Sequence, residues 1–176
     1  LPEDYYVANK LRTGFIGAAN IDTNSRLCMS SAVVGYKRAF GEDVVPCSYE
    51  DVENSDLVVL VGSNAAWTHP VLYQRLVQAR QNNPQMKVVV IDPRKTATCD
   101  IADLHLALAP GSDAGLFVGL LNLIQGTDDW PIARVAGFCG LDAQEIATFY
   151  DWFLTAPRAI TLYTMGITQS SSGSDK

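Results

Sequence analysis

The chain has no basic cluster: thirteen Lys and Arg stand against nineteen Asp and Glu in 176 residues, a formal net charge of −6. That balance argues against nucleic acid and anionic membrane surfaces as partners. No apolar run approaches the roughly 20 residues of a membrane span, and no basic segment followed by an apolar one opens the chain, so neither a span nor a signal peptide is read here. Cys28, Cys47, Cys99 and Cys139 are far apart, without a C-x-x-C or metal-finger spacing. Neither a zinc site nor a disulfide framework is indicated, and a reducing compartment is favoured. A G-x-G-x-x-G fingerprint is also missing, which disfavours a plain NAD- or flavin-binding domain. There is no internal repeat, and the only low-complexity stretch is Ser170-Ser171-Ser172-Gly173. With Leu1 in place of an initiator Met and no natural stop signal at Lys176, the expectation is a segment of a longer polypeptide, with any targeting signal outside it.

What the chain does have is 48% hydrophobic residues, enough for one sizeable core. Short apolar runs alternate with longer amphipathic stretches. Glu3 to Thr13 has helical spacing, broken by Gly14 and Gly17, and a second helix is expected from about Met29 to Phe40 with Gly41 as its C-terminal cap. Leu57-Val58-Val59-Leu60-Val61 and Lys87-Val88-Val89-Val90-Ile91 are β-branched runs without polar alternation, the mark of strands covered on both faces. Between them Pro70 opens a helix that Asn82-Asn83-Pro84 closes. Leu104 to Ala109 is a third strand candidate and Ala159 to Tyr163 a fourth. Helices are expected from Ser112 or Asp113 to Ile124 and from Leu141 to about Leu154. This order predicts an α/β fold, a three-layer, Rossmann-like, doubly wound and mainly parallel sheet with helices on both faces. We read 1–48 as a helical segment, 49–165 as the Rossmann-like core and 166–176 as a loop cut short.

Polar residues collect where the strands end. Gly62-Ser63-Asn64, Asp92-Pro93-Arg94-Lys95-Thr96, Gly111-Ser112-Asp113 and Met165-Gly166 all follow predicted strands, on the edge where open α/β sheets bind ligands. A Gly there lets backbone approach a phosphate, the next helix N-terminus offers N–H groups, and an Asp suits a ribose hydroxyl or a guanine edge. One shared nucleotide crevice accounts for all four loops. Singly, each also reads as turn or cap chemistry. His69 reads as a surface or capping residue, His105 as half-buried structure and Met165 as core. Cys28 stands where a polar loop meets a helix. There it is either a small buried hydrophobe or a thiolate made reactive by the helix N-terminus, with Arg26 adding to the effect.

Taken together, Asn-x-x-x-Cys opening a helix, a strand followed by Gly-Ser-Asn, Val-Ile-Asp-Pro-Arg-Lys-Thr-Ala-Thr with Ile101-Ala102-Asp103 close behind, and Ala-Pro-Gly-Ser-Asp resemble the molybdopterin oxidoreductases of the dimethyl-sulfoxide-reductase type. The likeness spans nearly the whole chain. It is greatest to the catalytic subunit of prokaryotic nitrate reductases, and the run Asp92 to Cys99 looks closer to the assimilatory than to the periplasmic enzyme. A cytoplasmic location is therefore expected, with the periplasm as the alternative.

The resemblance implies roles for particular residues. Cys28 matches the molybdenum ligand of a Mo-bis(molybdopterin guanine dinucleotide) centre, and soft thiolate ligation suits that metal. Asn24 matches a pterin contact. Gly62, Ser63, Asn64, Ala65, Ala66, Trp67 and Thr68 match the loop on one dinucleotide, and Asp92, Pro93, Arg94, Lys95 and Thr96 match the segment at its guanosine end. Gly111, Ser112 and Asp113 match the loop that holds the guanine, while Met165 and Gln169 match a loop near molybdenum and pterin. The implied activity is reduction of nitrate to nitrite by oxygen-atom transfer. Electrons would come from a donor protein through a [4Fe-4S] cluster upstream of this region, and the isolated segment is expected to be inactive. Formate dehydrogenases of the superfamily usually have a His after the metal-binding residue, for proton handling. Met29 cannot move a proton, which favours nitrate. The alternatives are a formate dehydrogenase, a complex I-type subunit that keeps the fold without molybdenum, and a non-catalytic nucleotide-binding module.

Overall fold

Five consecutive buried residues, Leu57 to Val61, form the centre of the molecule in a computed structural model that describes residues 2–21, 30–166 and 168. This strand, β1 (Leu57–Val61), pairs in parallel with β2 (Lys87–Ile91) on one side and β4 (Ala159–Tyr163) on the other, and β2 pairs in parallel with β3 (Leu104–Leu106). The sheet order is β3-β2-β1-β4. A strand covered on both faces has no use for polar alternation, which is why its run is unbroken Leu and Val. Register brings Val61, Ile91 and Tyr163 level, with Leu106 beside Ile91, so all four strands end on one edge.

Helices cover both faces. Leu57, Val59 and Val61 point into a core with Val89, Ile91, Leu116, Leu120, Ile146 and Phe149, supplied by α6 (Asp113–Gln125), α7 (Ile132–Cys139) and α8 (Ala143–Thr155). Val58 and Leu60 point the other way, against Val52, Leu76 and Ala79 of α3 (Tyr49–Glu53) and α5 (Pro70–Asn82). Each fully buried side chain of this size contributes roughly 1.5–3 kcal/mol, so the two faces together dominate the stabilisation. Local chemistry sets the helix ends. Ser48 and Asp51 form a reciprocal capping box for α3, Pro70 begins α5, and the Asp142 carboxylate accepts from the N–H groups of Gln144 and Glu145 to start α8.

Several expectations shift in detail. The third strand is three residues long, not six: after Leu106 the chain turns off, and Ala109 N–H donates to the Cys139 carbonyl instead of to the sheet. Gly14 does not stop the first helix. α1 (Pro2–Asn9) runs on as a π-helical stretch, Lys10–Phe15, which contains it. Ser112 occupies the N-cap position of α6 without capping, because its hydroxyl donates backward to the Ala109 carbonyl at 2.6 Å. α7 and the short α4 (Ala65–Thr68) were not foreseen. The helix before the first strand, α2 (Ser30–Phe40), ends at Gly41 as expected. Among the described residues no helix is long and apolar enough to cross a membrane.

Candidate functional site

After the third strand the chain crosses to the far side of β1 to lay down β4, so the loops at the carboxyl ends of β1 and β4 diverge around a crevice. A cleft of about 420 Å³ lies at this edge. Gly62, Asn64, Thr68 and His69 line it from the β1 side, Asp92, Pro93 and Arg94 from β2, Leu108, Pro110, Gly111 and Asp113 from the segment before α6, and Thr164, Met165 and Gly166 from β4. All four loops singled out in the sequence therefore contribute to one cavity, of a size that suits a nucleotide-scale ligand.

At the floor two backbones nearly touch. Gly62 has φ +58°, and a Cβ there would stand 3.2 Å from both N and Cα of Gly166. Only Gly combines that conformation with that approach. Thr164 reinforces the contact, since its hydroxyl donates to the Gly62 carbonyl while its N–H donates to the Val61 carbonyl at 3.1 Å.

The β2 turn is held from within and from β3. The Asp92 carboxylate, 5% exposed as a residue, accepts from Arg94 N–H at 2.8 Å, and Asp92 N–H donates to the Leu106 carbonyl. His105 Nε2 lies 2.9 Å from the Asp92 carbonyl. A carbonyl only accepts, so this nitrogen carries the proton and donates. His105 is thus the half-buried structural residue expected of it. Asp113 differs from Asp92. It is 7% exposed, lines the cleft, and its carboxylate has no hydrogen-bond partner among the described residues. An acceptor pair of that kind matches the adjacent N–H donors of a guanine edge. Arg94, mostly exposed, adds the cation of the cleft rim.

The remaining positions named from the sequence lie elsewhere. Ser63, Ala65, Ala66, Trp67, Lys95, Thr96 and Ser112 do not line the cleft, and Trp67 points outward at 77% exposure. Thr96 Oγ1 is buried without a hydrogen-bond partner among the described residues. Met165 is 62% exposed rather than core, so its place at the cleft is open to a ligand. Asn24, Cys28, Met29 and Gln169 lie outside the described residues. Of the other cysteines, Cys99 and Cys139 are buried and Cys47 is exposed. Burial pushes the Cys139 thiol above its ordinary pKa, which keeps it inert. Sequence reasoning missed Thr164, His69, Leu108 and Pro110 as lining residues. Thr164, one residue past a strand, and Pro110, in the Ala-Pro-Gly-Ser-Asp run, were the local signals available.

A sequence model of the molybdopterin oxidoreductases matches residues 2–176. The chain belongs to the molybdopterin oxidoreductase family. It is 72% identical to a nitrate reductase from Klebsiella oxytoca across 100% of its own length and 22% of that protein, and 46% identical to a nitrate reductase from Shewanella frigidimarina across 99% and 21%. It therefore spans about a fifth of the length of these relatives. Among solved structures, acetylene hydratase from Pelobacter acetylenicus superposes with a TM-score of 0.72 at 22% identity, over 96% of this chain and 26% of that one. That likeness concerns the fold. As a molybdopterin oxidoreductase segment, the chain has its cleft where nucleotide-binding α/β sheets place theirs.

Proposed function

We propose that this chain is the part of a molybdenum nitrate reductase that holds one molybdopterin guanine dinucleotide, with Cys28 as the protein ligand to the metal. The observation that carries the reading is the meeting of Gly62, Asp92, Gly111, Asp113 and Met165 around a single cleft at the switch point of the sheet. The residues suit the group. The apposed glycines 62 and 166 leave the floor free of side chains, the Asp113 carboxylate, without a hydrogen-bond partner among the described residues, offers acceptors to a guanine edge, and Arg94 and the Asn64 amide offer donors to phosphate oxygens. Asn24 is assigned to the pterin, and Met165 and Gln169 to a loop near molybdenum and pterin.

When bound, the molybdenum centre supplies the two-electron redox chemistry that converts nitrate, with two protons, to nitrite and water. The chain's own residues bind and orient. The Gly62 and Gly166 backbones set the depth of the cleft, and the Asp92 turn, clamped by His105, fixes one wall. A [4Fe-4S] cluster and an electron-donor protein belong to the reading as well, in parts of the enzyme outside this chain. The identity of the relatives supports nitrate as substrate, and Met29 in place of a proton-moving His supports it against formate.

The test compares the full-length protein with its Cys28→Ser variant for molybdenum content and for nitrate reduction with a reduced viologen dye. The expected result is a molybdenum-containing wild type that reduces nitrate and a variant whose rate falls by at least two orders of magnitude. A wild type that binds no molybdenum, or that turns over formate but not nitrate, overturns the reading.

A further inference from the structure

Thr98 lies outside the cleft, is fully buried, and ties two of its walls together. It sits in the 3₁₀ turn Ala97–Ile101 that follows the Asp92 loop, yet both hydrogen bonds of its hydroxyl reach the segment after β1, at Asn64 and at the first turn of α4. Ala66 N–H donates to Thr98 Oγ1 at 3.1 Å, and Thr98 Oγ1 lies 3.1 Å from Asn64 Oδ1. A hydroxyl has a single proton. The first bond uses the proton of Ala66, and Asn64 is the one acceptor among the described residues within reach of the Thr98 proton. A reversed amide would donate to Oγ1 and leave that proton buried without an acceptor, so satisfying both groups fixes which way the Asn64 amide faces. Oδ1 is turned to Thr98, and Nδ2 is left with both protons and no partner among the described residues, on a side chain that lines the cleft.

We propose that Thr98 is a positioning residue, one that presents the Asn64 amide to the cleft as a donor to an acceptor oxygen of the bound nucleotide. The inference rests on the reading of the cleft as a nucleotide site. Without the Thr98 hydroxyl the amide is free to rotate and to offer Oδ1, an acceptor that repels phosphate and ribose oxygens. With it the donor is set before the ligand arrives, so no ordering is left for binding to do.

The experiment uses the full-length protein and reads guanosine monophosphate released on acid denaturation, per protein molecule, beside the melting temperature of the folded protein. Thr98→Val removes the hydroxyl at similar volume, and its affinity is expected to fall on the order of fivefold, about the weight of one hydrogen bond, so that protein diluted until the wild type is itself only partly loaded holds less nucleotide. Thr98→Ser restores the hydroxyl and is expected to stay within about twofold of the wild type. Asn64→Asp keeps the acceptor for Thr98 but places a carboxylate where the donor was. It is expected to melt like the wild type and to lose nucleotide, which keeps the test valid even if Thr98→Val folds poorly. Equal losses in Thr98→Val and Thr98→Ser reduce Thr98 to packing and overturn the proposal. If Asp113→Asn loses nucleotide while Asn64→Asp keeps it, the positioning role fails and the nucleotide site stands. If Asp113→Asn, Asn64→Asp and Thr98→Val all keep it, the reading of the cleft itself fails.

Discussion

Gly62 and Asp103 show how single residues set the cleft and the opposite edge of the sheet. At Gly62 the left-handed backbone and the 3.2 Å approach to Gly166 act together, so a side chain is strained in conformation and in contact. Gly62→Val is expected to cost about 2 kcal/mol by denaturant unfolding and to lower nucleotide content in the full-length protein. An unchanged midpoint would show that the two loops part easily. Asp103 holds the opposite edge of the sheet, at the start of β2. Its carboxylate accepts from Arg80 Nη1 and Nη2 at 2.5 and 2.7 Å and from Val88 N–H at 2.8 Å, joining the end of α5 to the start of β2. Burial alone would raise its pKa, but the Arg80 and Val88 bonds outweigh burial and hold it below the ordinary carboxylate value. A carboxyl lowered in the folded state adds stability above its unfolded pKa of about 3.9, and that stability is lost as pH falls through the folded value. Asp103→Asn should therefore cost about 2 kcal/mol at pH 7 and less once the pH is below about 3.9, measured by urea unfolding at pH 7 and near pH 3. Equal costs at the two pH values would remove the ion pair from the explanation.

Among the elements, α6 is placed by what it leaves out. A Cβ on Gly119 would stand 2.4 Å from Val135 Cγ2 and 2.5 Å from Tyr150 Oη, so the absence of a side chain lets α7 and α8 close on α6. Tyr150, 1% exposed, uses that closeness to donate its hydroxyl to the Leu116 carbonyl at 2.6 Å, and burial raises its pKa far above the ordinary value. Gly119→Ala would push the ring away and leave the buried Tyr150 hydroxyl without its acceptor. We expect a loss of about 2–3 kcal/mol despite the better helix propensity of Ala, read from the shift in the urea midpoint. Stabilisation instead would mean that α7 and α8 move apart freely. The same packing explains why α7 was missed in the sequence. Its apolar residues Ile132, Val135, Ala136 and Cys139 do fall at helical spacing, and Pro131 and Gly140 bracket it, but eight residues with an internal Gly137 give a short signal. β3 was read too long for the opposite reason: Leu106 and Leu108 are both buried, and alternation alone cannot tell a strand from a loop that packs its apolar side chains.

For the molecule as a whole, burial is concentrated in the middle of the sheet and absent at the amino-terminal end, where α1 and the π-helical stretch contain no buried residue. Hydrogen exchange on the 176-residue chain is expected to be slowest at amides 57–61 and 87–91 and fastest at 2–15, because opening β1 or β2 exposes both core clusters. Similar protection in both regions would contradict this distribution of stability. What the sequence by itself determined is the part of the fold that depends on burial on both faces and on chain-local chemistry. The unbroken apolar runs of β1 and β2, Pro70 opening a helix, Gly41 ending another, and the four polar loops after the strands follow from periodicity, capping and turn rules that act within a few residues. Only the tertiary structure decided which of those loop residues meet. Ser63 and Trp67 belong to the same loop as Gly62 and Asn64, yet they turn away from the cleft, since neighbours along a chain need not share a surface. Gly166 becomes the partner of Gly62 across about a hundred residues because β4 inserts beside β1, and Thr98 gains its hold on Asn64 because β2 lies on β1's other side. No local rule contains such contacts, for they are set by the order of strands in the sheet.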